Sequence, residues 1–412
     1  MKQEDIDYYK RKIKELSLLG LDNVKIDKNI SILKNIKKIY DKKLKQQAKI
    51  KRDFIKKLYN CQNTSRNNQS FKYDGLDIKY EYQRYDMKIK QKDFMKIFYD
   101  LDINNYKYFL TNCGMSAIFT AFYSLSKHGF NIEYKNNIYI ETQRFLDEYI
   151  NTNKDNKKKC VLLDTLSFKH LDDVLDDKLI DNYDLIIIDS TVYTPSELKG
   201  LINRILDKNK NLILIKSHTK MDMLGIEWSP VGSVCIISND KKFVDEIELE
   251  FRIVLSIIGG YAYPNSIPLY WSNKDFVEVT ENRSKVIKKN GELVYKKLKA
   301  ALPNIEIIKP PHNMFILIKP NVFIDYETLE KDLHKYTEET KYKGLINYAD
   351  SFGLDVLGIN GYFENMAADT EVIRISLTDY PYEVCSLIID EFIVWLKKYL
   401  ERKKNEKSSV VI

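Results

Sequence analysis

The segment LILIKSHTKMD, residues 212–222, places a lysine just beyond a strand-like apolar run. Lys220 follows the run by a few residues, and Ser217 and Thr219 beside it carry hydroxyls that could donate to a phosphate. A lysine held in an apolar pocket has a depressed pKa, which makes its amine a nucleophile toward an aldehyde. The alternative interpretation is a surface lysine in a lysine-rich chain.

A second candidate, Asp189, ends the apolar run in YDLIIIDSTVYTP, residues 183–195. A buried carboxylate is costly unless a cation meets it, so this position predicts a positively charged partner. The alternative is an aspartate that caps a helix or forms a turn.

A third candidate is the glycine in FLTNCGMSAIFTAFYSL, residues 109–125. Gly114 permits a tight turn, and the helical pattern that follows it would leave backbone N–H groups free at the helix start, where they can bind an anion. An ordinary junction between a loop and a helix is the alternative.

Short apolar runs alternate with helical patterns from about residue 105, and these elements must position the three candidates. Buried strands are predicted for NIYI (137–140), CVLLDT (160–165), YDLIIIDST (183–191), NLILIKS (211–217) and SVCIIS (233–238). A helix is predicted for PSELKGLINRILDKN, starting at Pro195 and Ser196. Such alternation predicts an α/β domain with a largely parallel sheet, in which ligands bind at the carboxyl ends of the strands.

The composition fits a folded globular chain of 412 residues, with 44% hydrophobic residues and a net charge of +7. The modest charge gives no nucleic-acid footprint, and no apolar run is long enough for a signal peptide or a membrane span. The five cysteines lie far apart without a CxxC pair, so we expect a reduced, cytoplasmic protein with no structural metal.

The N-terminal region differs from the rest of the chain because it is rich in lysine. In residues 31–60, apolar side chains recur at helical spacing, which predicts an amphipathic helix with a lysine-rich outer face. The predicted apolar stripe is Ile32, Ile36, Ile39, Leu44, Ala48, Ile55 and Leu58. The basic face is expected to be solvated, with a membrane-surface or nucleic-acid role as the alternative.

Together these residues resemble the fold-type I enzymes that use pyridoxal phosphate, and most closely the cystathionine synthases and lyases of cysteine and methionine metabolism. The matching segments are Gly114-Met115 with Ala117-Ile118, Asp189 to Pro195 with Thr191, Ser217-x-Thr219-Lys220, Arg374-x-Ser376 in EVIRISL, and Tyr82-x-Arg84 in EYQRYD. The resemblance covers roughly residues 75–400.

The resemblance implies a three-layer α/β fold of the aspartate aminotransferase kind, with a mostly parallel sheet in a large domain and a smaller C-terminal α+β domain. The implied divisions are an N-terminal helical segment (1–75), a cofactor-binding domain (76–265) and a small domain (266–412). It also implies a homodimer or homotetramer with shared active sites, in which Tyr82 and Arg84 reach the phosphate of a neighbouring subunit.

The resemblance further implies a role for each matched residue with pyridoxal phosphate as the cofactor. Lys220 would form the Schiff base and then remove the Cα proton, and Asp189 would keep the pyridine nitrogen protonated. Cofactor binding would also involve Gly114, Met115, Thr191, Ser217 and Thr219. Arg374 and Ser376 would bind the carboxylate of an amino-acid substrate.

Two departures from the family pattern fall in the cofactor pocket. The family usually shows Glu-x-Pro-x-Asn-Pro on the strand before the aspartate, whereas here that strand reads LLDTLSF, with Asp164 and Ser167 near the expected places, so the family's asparagine is unassigned. The family's Tyr-Gly-Gly-Thr segment is replaced by ETQRFLDEY, in which Phe145 is our choice for stacking on the cofactor ring, with Tyr139 close by and a helix-core role as the alternative.

Three functions follow from these observations. The first is elimination or replacement at the side chain of an amino acid, in specialised or natural-product metabolism. The second is transamination, because residues 351–377 also resemble the small-domain ending of aminotransferases. The third is a non-catalytic relative that binds a partner through its basic N-terminal helix.

Overall fold

The computed structural model describes residues 2–22, 24–27, 29–62, 69–73, 76–80, 94–134, 138–150, 158–165, 176–363 and 371–409. These residues belong to two compact units. The small unit comprises residues 1–43, 224–226 and 282–412, and the large unit comprises residues 44–223 and 227–281. The functional domains predicted from the sequence, with divisions at residues 76 and 266, stay a prediction.

Helices and strands follow each other along the described parts of the chain. The helices are α1 Gln3–Leu18, α2 Ile32–Gln62, α3 Phe94–Tyr99, α4 Gly114–Lys127, α5 Ile140–Phe145, α6 Asp177–Asn182, α7 Pro195–Asp207, α8 Lys241–Ile258, α9 Phe276–Ala301, α10 Tyr326–Glu339 and α11 Tyr382–Ser409. The strands are β1 Gln69–Tyr73, β2 Leu76–Tyr80, β3 Tyr106–Thr111, β4 Phe130–Tyr134, β5 Lys158–Asp164, β6 Leu185–Asp189, β7 Asn211–Ser217, β8 Gly232–Ile237, β9 Glu306–Ile308, β10 Phe315–Lys319, β11 Ile346–Tyr348, β12 Leu357–Phe363 and β13 Glu371–Ser376.

The large unit is built on a six-stranded sheet in the order β3-β8-β7-β6-β5-β4. Strands β4 to β7 are parallel, and β8 is antiparallel to both β7 and β3. Every residue of β6 and β8 is buried, as expected for strands covered on both faces. Helix α4 packs on one face through Ala117, Ala121 and Leu125. The predicted α/β class with a mostly parallel sheet is confirmed.

Four of the five predicted strands and the predicted helix are confirmed, as β5 to β8 and α7. The predicted strand at 137–140 is wrong for the residues that the structure describes there: 138 and 139 have no regular structure and Ile140 begins α5. Two strands of this sheet were not predicted, β3 and β4; β4, for example, buries Phe130 and Ile132 but leaves Asn131 between them partly exposed, and β3 is also only partly buried. This alternation gives no continuous apolar run.

The small unit contains a five-stranded sheet in the order β11-β12-β13-β10-β9. Strand β11 is parallel to β12, and the remaining neighbours are antiparallel. Most side chains of β10 and β13 are buried, and α10 and α11 bury apolar stripes within the same unit. The expected smaller α+β domain is confirmed.

A cluster of six buried charged side chains joins α1 and α2 to the rest of the small unit. Its members are Lys12, Glu15, Lys43, Arg283, Asp355 and Asp379. The Lys12 Nζ lies 2.7 Å from Asp355 Oδ1 and 2.8 Å from Asp379 Oδ1, and Lys43 donates to Glu15 and Asp355. The three carboxylates are close enough to chelate a metal ion. However, three cations already balance their charge, and this attraction offsets the desolvation cost of burying the carboxylates.

The predicted apolar stripe of α2 is confirmed only in its first turns, where Ile36 and Ile39 are buried. Farther along the helix, Lys43 and Gln47 occupy the buried face, while Leu44 is 37% exposed and Ile55 is 49% exposed. The prediction is wrong at Leu44, Ala48 and Ile55 because the buried face there holds Lys43, in an ion pair, and Gln47, in a hydrogen bond, followed by Phe54. The side chain of Leu58 lies outside the described residues. Among the described helices, none is long and apolar enough to cross a bilayer.

Candidate active site

The carboxyl ends of β5, β6 and β7 bring the sequence-predicted residues of the large unit together. Asp164 and Asp189 are register partners on β5 and β6, and Asp189 is the partner of Ile215 on β7. Since side chains alternate along a strand, Asp189, Ile215 and Ser217 point to the same face of the sheet. Ile215 belongs to the apolar cluster formed with α4, so this face is the one that α4 covers.

Thr191 connects Asp189 to the end of β7. The backbone N–H and the hydroxyl of Thr191 donate to Asp189 Oδ1 over 3.0 and 2.6 Å. The backbone N–H of Ser217 in turn donates to Thr191 Oγ1 over 3.0 Å. Thr191 therefore fixes the carboxylate of Asp189 relative to Ser217.

Burial raises the pKa of Asp189, and the hydrogen bonds from Thr191 and the charge of Lys216 only partly offset this effect. Asp189 is 7% exposed. A cation placed against this carboxylate would favour its charged form. The expectation of a positively charged partner at Asp189 thus has a physical basis in the structure.

Gly114 begins helix α4 in direct contact with Ser217. A Cβ atom on Gly114 would lie only 2.8 Å from Ser217 Cβ, so any larger residue would push the helix start away from β7. Cys113 is the N-cap, and its Sγ accepts from Ser116 N. Helical geometry leaves the N–H groups of Gly114 and Met115 without intrahelical acceptors, and the helix dipole favours an anion beside them.

Lys220 lies in a turn that follows β7, three residues after Ser217. Three residues of chain span at most about 11 Å, so the lysine lies within that distance of the Gly114–Ser217 contact along the backbone. Lys220 and Thr219 are both partly exposed. The surrounding residues therefore do not fully enclose Lys220.

A buried polar group that was not predicted from the sequence lies beside this turn. His218 Nδ1 lies 2.7 Å from Asp222 Oδ2, and His218 Nε2 lies 2.8 Å from Ser233 Oγ. Lys216 is also buried, and its Nζ donates to the carbonyl of Tyr193. Two features of the sequence could have predicted this group. The histidine and the aspartate are four residues apart, and a lysine lies inside an apolar strand.

Phe145 and Tyr139 lie at opposite ends of α5. Phe145 packs among other rings, with Phe119 at 5.2 Å and Phe122 at 6.3 Å between centroids. Tyr139 is the N-cap of α5, and its backbone N–H donates to Asp164 Oδ2 over 2.7 Å. These surroundings favour the helix-core interpretation of Phe145 and place Tyr139 nearer the strand ends.

Arg374 and Ser376 lie on one face of β13 in the small unit. Arg374 is 6% exposed, its Nε donates to Asn360 Oδ1 over 3.0 Å, and its guanidinium lies 4.9 Å from the centroid of the Tyr362 ring. Within the part of the chain that the structure describes, Ser376 Oγ is buried and has no hydrogen-bond partner. A buried hydroxyl without a partner is costly, and a polar ligand could satisfy it.

Three residues considered in the sequence analysis lie outside the described residues. They are Tyr82, Arg84 and Ser167. The contact with a neighbouring subunit that was expected for Tyr82 and Arg84 stays a prediction.

The fold is similar to that of two solved structures of low sequence identity. Cystathionine gamma synthase from Xanthomonas oryzae pv. oryzae, in complex with cystathionine, has a TM-score of 0.52 and 14% identity over 83% of this chain and 92% of that chain. A protein described as an O-acetylhomoserine (thiol)-lyase from Campylobacter jejuni subsp. jejuni, with a pyridoxyl-lysine monophosphate at its position 205, has a TM-score of 0.49 and 17% identity over 71% of this chain and 81% of that chain.

No protein-family model and no curated protein matches the sequence. The likeness to the Xanthomonas enzyme nevertheless extends over most of both chains. The three-layer α/β fold expected from the sequence, that of the fold-type I enzymes, is therefore confirmed.

Proposed function

We propose that this protein is a pyridoxal-phosphate-dependent enzyme that acts on an amino acid by elimination or replacement at the side chain. The observation that carries the proposal is the grouping of Asp189, Ser217 and the start of α4 at the ends of β6 and β7, with Lys220 three residues beyond. The fold shared with a cystathionine gamma synthase supports the same reaction class.

The residues present fit this cofactor. The glycine contact between α4 and β7 leaves the N–H groups of Gly114 and Met115 beside the Ser217 hydroxyl, a donor set suited to a phosphate. Asp189 is a buried carboxylate whose raised pKa would be relieved by a protonated ring nitrogen. Lys220 supplies the amine that would hold the aldehyde carbon. When bound, pyridoxal phosphate supplies an electron sink for negative charge at the substrate Cα.

The side chains of this protein would orient the substrate and move its protons. The amine of Lys220, once released by the incoming substrate, would take the Cα proton and return it later to the product. The guanidinium of Arg374 would bind the substrate carboxylate in a two-point contact that a lysine could not make. The unpartnered hydroxyl of Ser376 would donate to the same carboxylate.

The proposal predicts that one lysine holds the cofactor. Purified protein incubated with pyridoxal phosphate should absorb in the visible, and borohydride treatment followed by peptide mass spectrometry should find the reduced adduct on Lys220. Lys220→Ala should abolish both signals while the protein stays folded, because the amine is the attachment point. Lys241→Ala, at an exposed lysine at the start of α8, is the matched control and should retain both.

A single adduct on another lysine, or visible absorbance that survives in Lys220→Ala, would contradict the proposed role of Lys220. The products distinguish the reaction types. Elimination or replacement changes the amino-acid side chain and needs no amino acceptor, whereas transamination yields a keto acid and requires one.

A further inference from the structure

A pair of buried side chains flanks the turn that carries Lys220. His218 and Asp222 are bonded to each other from two residues before and two residues after the lysine, and Ser233 extends the pair from β8. Their exposed fractions are 0% for His218, 3% for Asp222 and 0% for Ser233. The arrangement contains the side-chain types of a hydrolytic triad, but all three side chains are enclosed by the protein.

The group also lies on the opposite side of the sheet from the candidate cofactor contacts. Lys216 and Ser233 are register partners, so their side chains share one face, and alternation along β7 sends Ser217 to the other. Lys216 Nζ lies 3.7 Å from Asp222 Oδ2 on that face. The group therefore contacts the turn from the face opposite to that of Asp189 and Ser217.

The protonation states follow from the surroundings. Burial lowers the pKa of His218 and outweighs the opposite effect of Asp222, so the imidazole is neutral. Burial raises the pKa of Asp222, but the charge of Lys216 and the hydrogen bond from His218 outweigh it, so the carboxylate is charged. A neutral imidazole that donates from Nδ1 to a carboxylate must accept at Nε2, and the Ser233 hydroxyl is the donor there.

Both members of the pair are also fixed to their surroundings. The backbone N–H of His218 donates to the carbonyl of Val231 over 2.9 Å, and Trp271 Nε1 donates to the carbonyl of Asp222 over 3.0 Å. The rings of Phe98 and Trp271 lie 4.4 and 4.9 Å from the imidazole, measured between centroids. Residues 218–225 form turns and contain neither helix nor strand, so the regular hydrogen bonds of those elements do not hold Lys220 in place.

We propose that His218 and Asp222 are positioning residues that brace this turn and set the position from which Lys220 presents its amine. This inference rests on the proposed role of Lys220 as the attachment point of the cofactor. A displacement of about 1 Å at a reacting group can cost a hundredfold in rate, so a lysine on a turn needs such support.

Two measurements test the brace. His218→Phe keeps a ring between Phe98 and Trp271 but removes both side-chain hydrogen bonds. Amide hydrogen exchange without cofactor should accelerate about tenfold at residues 219–222 in this variant, the effect expected from losing one hydrogen bond to a charged group. With saturating pyridoxal phosphate, the fraction of Lys220 trapped by borohydride should fall by a similar factor.

Matched variants separate positioning from general loss of stability. His218→Asn can still donate to Asp222 and should restore part of the protection and the trapping. His312→Phe makes the same change at an equally buried histidine of the small unit, 1% exposed, and should alter neither readout at Lys220. If His218→Phe does not fold, Asp222→Asn, which keeps the shape and removes the charge, carries the same expectation.

Several results would overturn the proposal. The brace is excluded if amides 219–222 of the unaltered protein exchange as fast as an unstructured peptide, a measurement that needs no variant. It is also excluded if, in a folded His218→Phe protein, borohydride traps the same fraction of Lys220 as in the unaltered protein. Absence of any adduct on Lys220 in the unaltered protein, with faster exchange in the variant, would instead remove the proposed function and leave the brace in place.

Discussion

At the scale of single residues, Asp189 has surroundings unlike those of an ordinary surface carboxylate. It is buried at a strand end, and its hydrogen-bond donors come from a residue two positions along the chain. A neutral asparagine would keep most of this geometry but could not stabilise a protonated ring nitrogen. The charge of Asp189 is therefore the property that a substitution should test.

We expect Asp189→Asn to bind pyridoxal phosphate but to lose on the order of a thousandfold in kcat/KM, because the electron sink depends on the protonated ring. Steady-state kinetics and cofactor titration measure the two effects separately. Asp181→Asn, at an exposed aspartate on α6, is the control and should remain near the unaltered rate. A loss of less than about tenfold in Asp189→Asn would mean that the carboxylate is only structural.

At the scale of elements, the sequence predicted the strands whose apolar residues run without interruption. Strands β5 to β8 are buried along most of their length, so their patterns are continuous. Strand β4 is buried on alternate residues and was missed. Asp189 and Ser217 could be grouped from the order of strand ends, because the carboxyl ends of parallel strands lie along one edge. Gly114 follows β3, which was not predicted.

Buried charge could not be predicted from the sequence. Lys43 lies on a helix where lysine is common, and only its partners distinguish it from its exposed neighbours. Those partners, Glu15 and Asp355, lie 28 and 312 residues away. The His218–Asp222 pair was not predicted for a related reason, because a histidine and an aspartate at this spacing also occur on solvated helices.

The cluster of buried charges predicts a strong effect of a single lysine on stability. Burial raises the pKa of Asp355, but Lys12, Lys43 and Arg283 outweigh it and hold the pKa well below its usual range. A carboxyl whose pKa is depressed on folding stabilises the protein above its unfolded pKa of about 3.9 and loses that contribution only as the pH falls through the lower, folded value. The unaltered cluster should therefore persist well below pH 4.

We expect Lys43→Met to lower the free energy of unfolding by about 3–5 kcal/mol, since it leaves buried carboxylates without one of their cations. It should also raise the pH at which acid unfolding begins, because the pKa of Asp355 would move back toward its ordinary value. Urea and acid titrations followed by circular dichroism measure both. Lys38→Met, at an exposed lysine of the same helix, should change stability by less than about 0.5 kcal/mol. Equal effects of the two substitutions would contradict the importance of the cluster.

At the scale of the whole molecule, one exposed surface of the large unit is suited to a second copy. Leu249, Ile253 and Ile257 are 60%, 42% and 72% exposed and follow each other at a spacing of four along α8. A continuous apolar stripe on a helix surface is typical of an interaction face. This stripe supports the expectation of a homodimer, whose shared sites would use Tyr82 and Arg84.

Subunit exchange tests this expectation. Arg84→Ala and Lys220→Ala proteins are mixed and allowed to exchange subunits. In a mixed dimer with shared sites, both substitutions can fall in one site, so the other site is intact. Up to about a quarter of the activity should therefore return. Ile257→Glu should instead yield a monomer in sedimentation, because a charge would replace the most exposed side chain of the apolar stripe. No recovery of activity, with exchange verified by mass, or a monomeric unaltered protein would rule out shared sites.

The charged cluster of the small unit also constrains the order of events during synthesis. Asp355 leaves the ribosome 343 residues after its partner Lys12. At about 5–20 residues per second the delay is roughly 17 to 70 seconds. Throughout this interval α1 lacks the carboxylates at positions 355 and 379 that balance its lysine. Helix α1 is thus made well before it can reach its final place, and folding of the small unit must wait until residues 355 and 379 have been released.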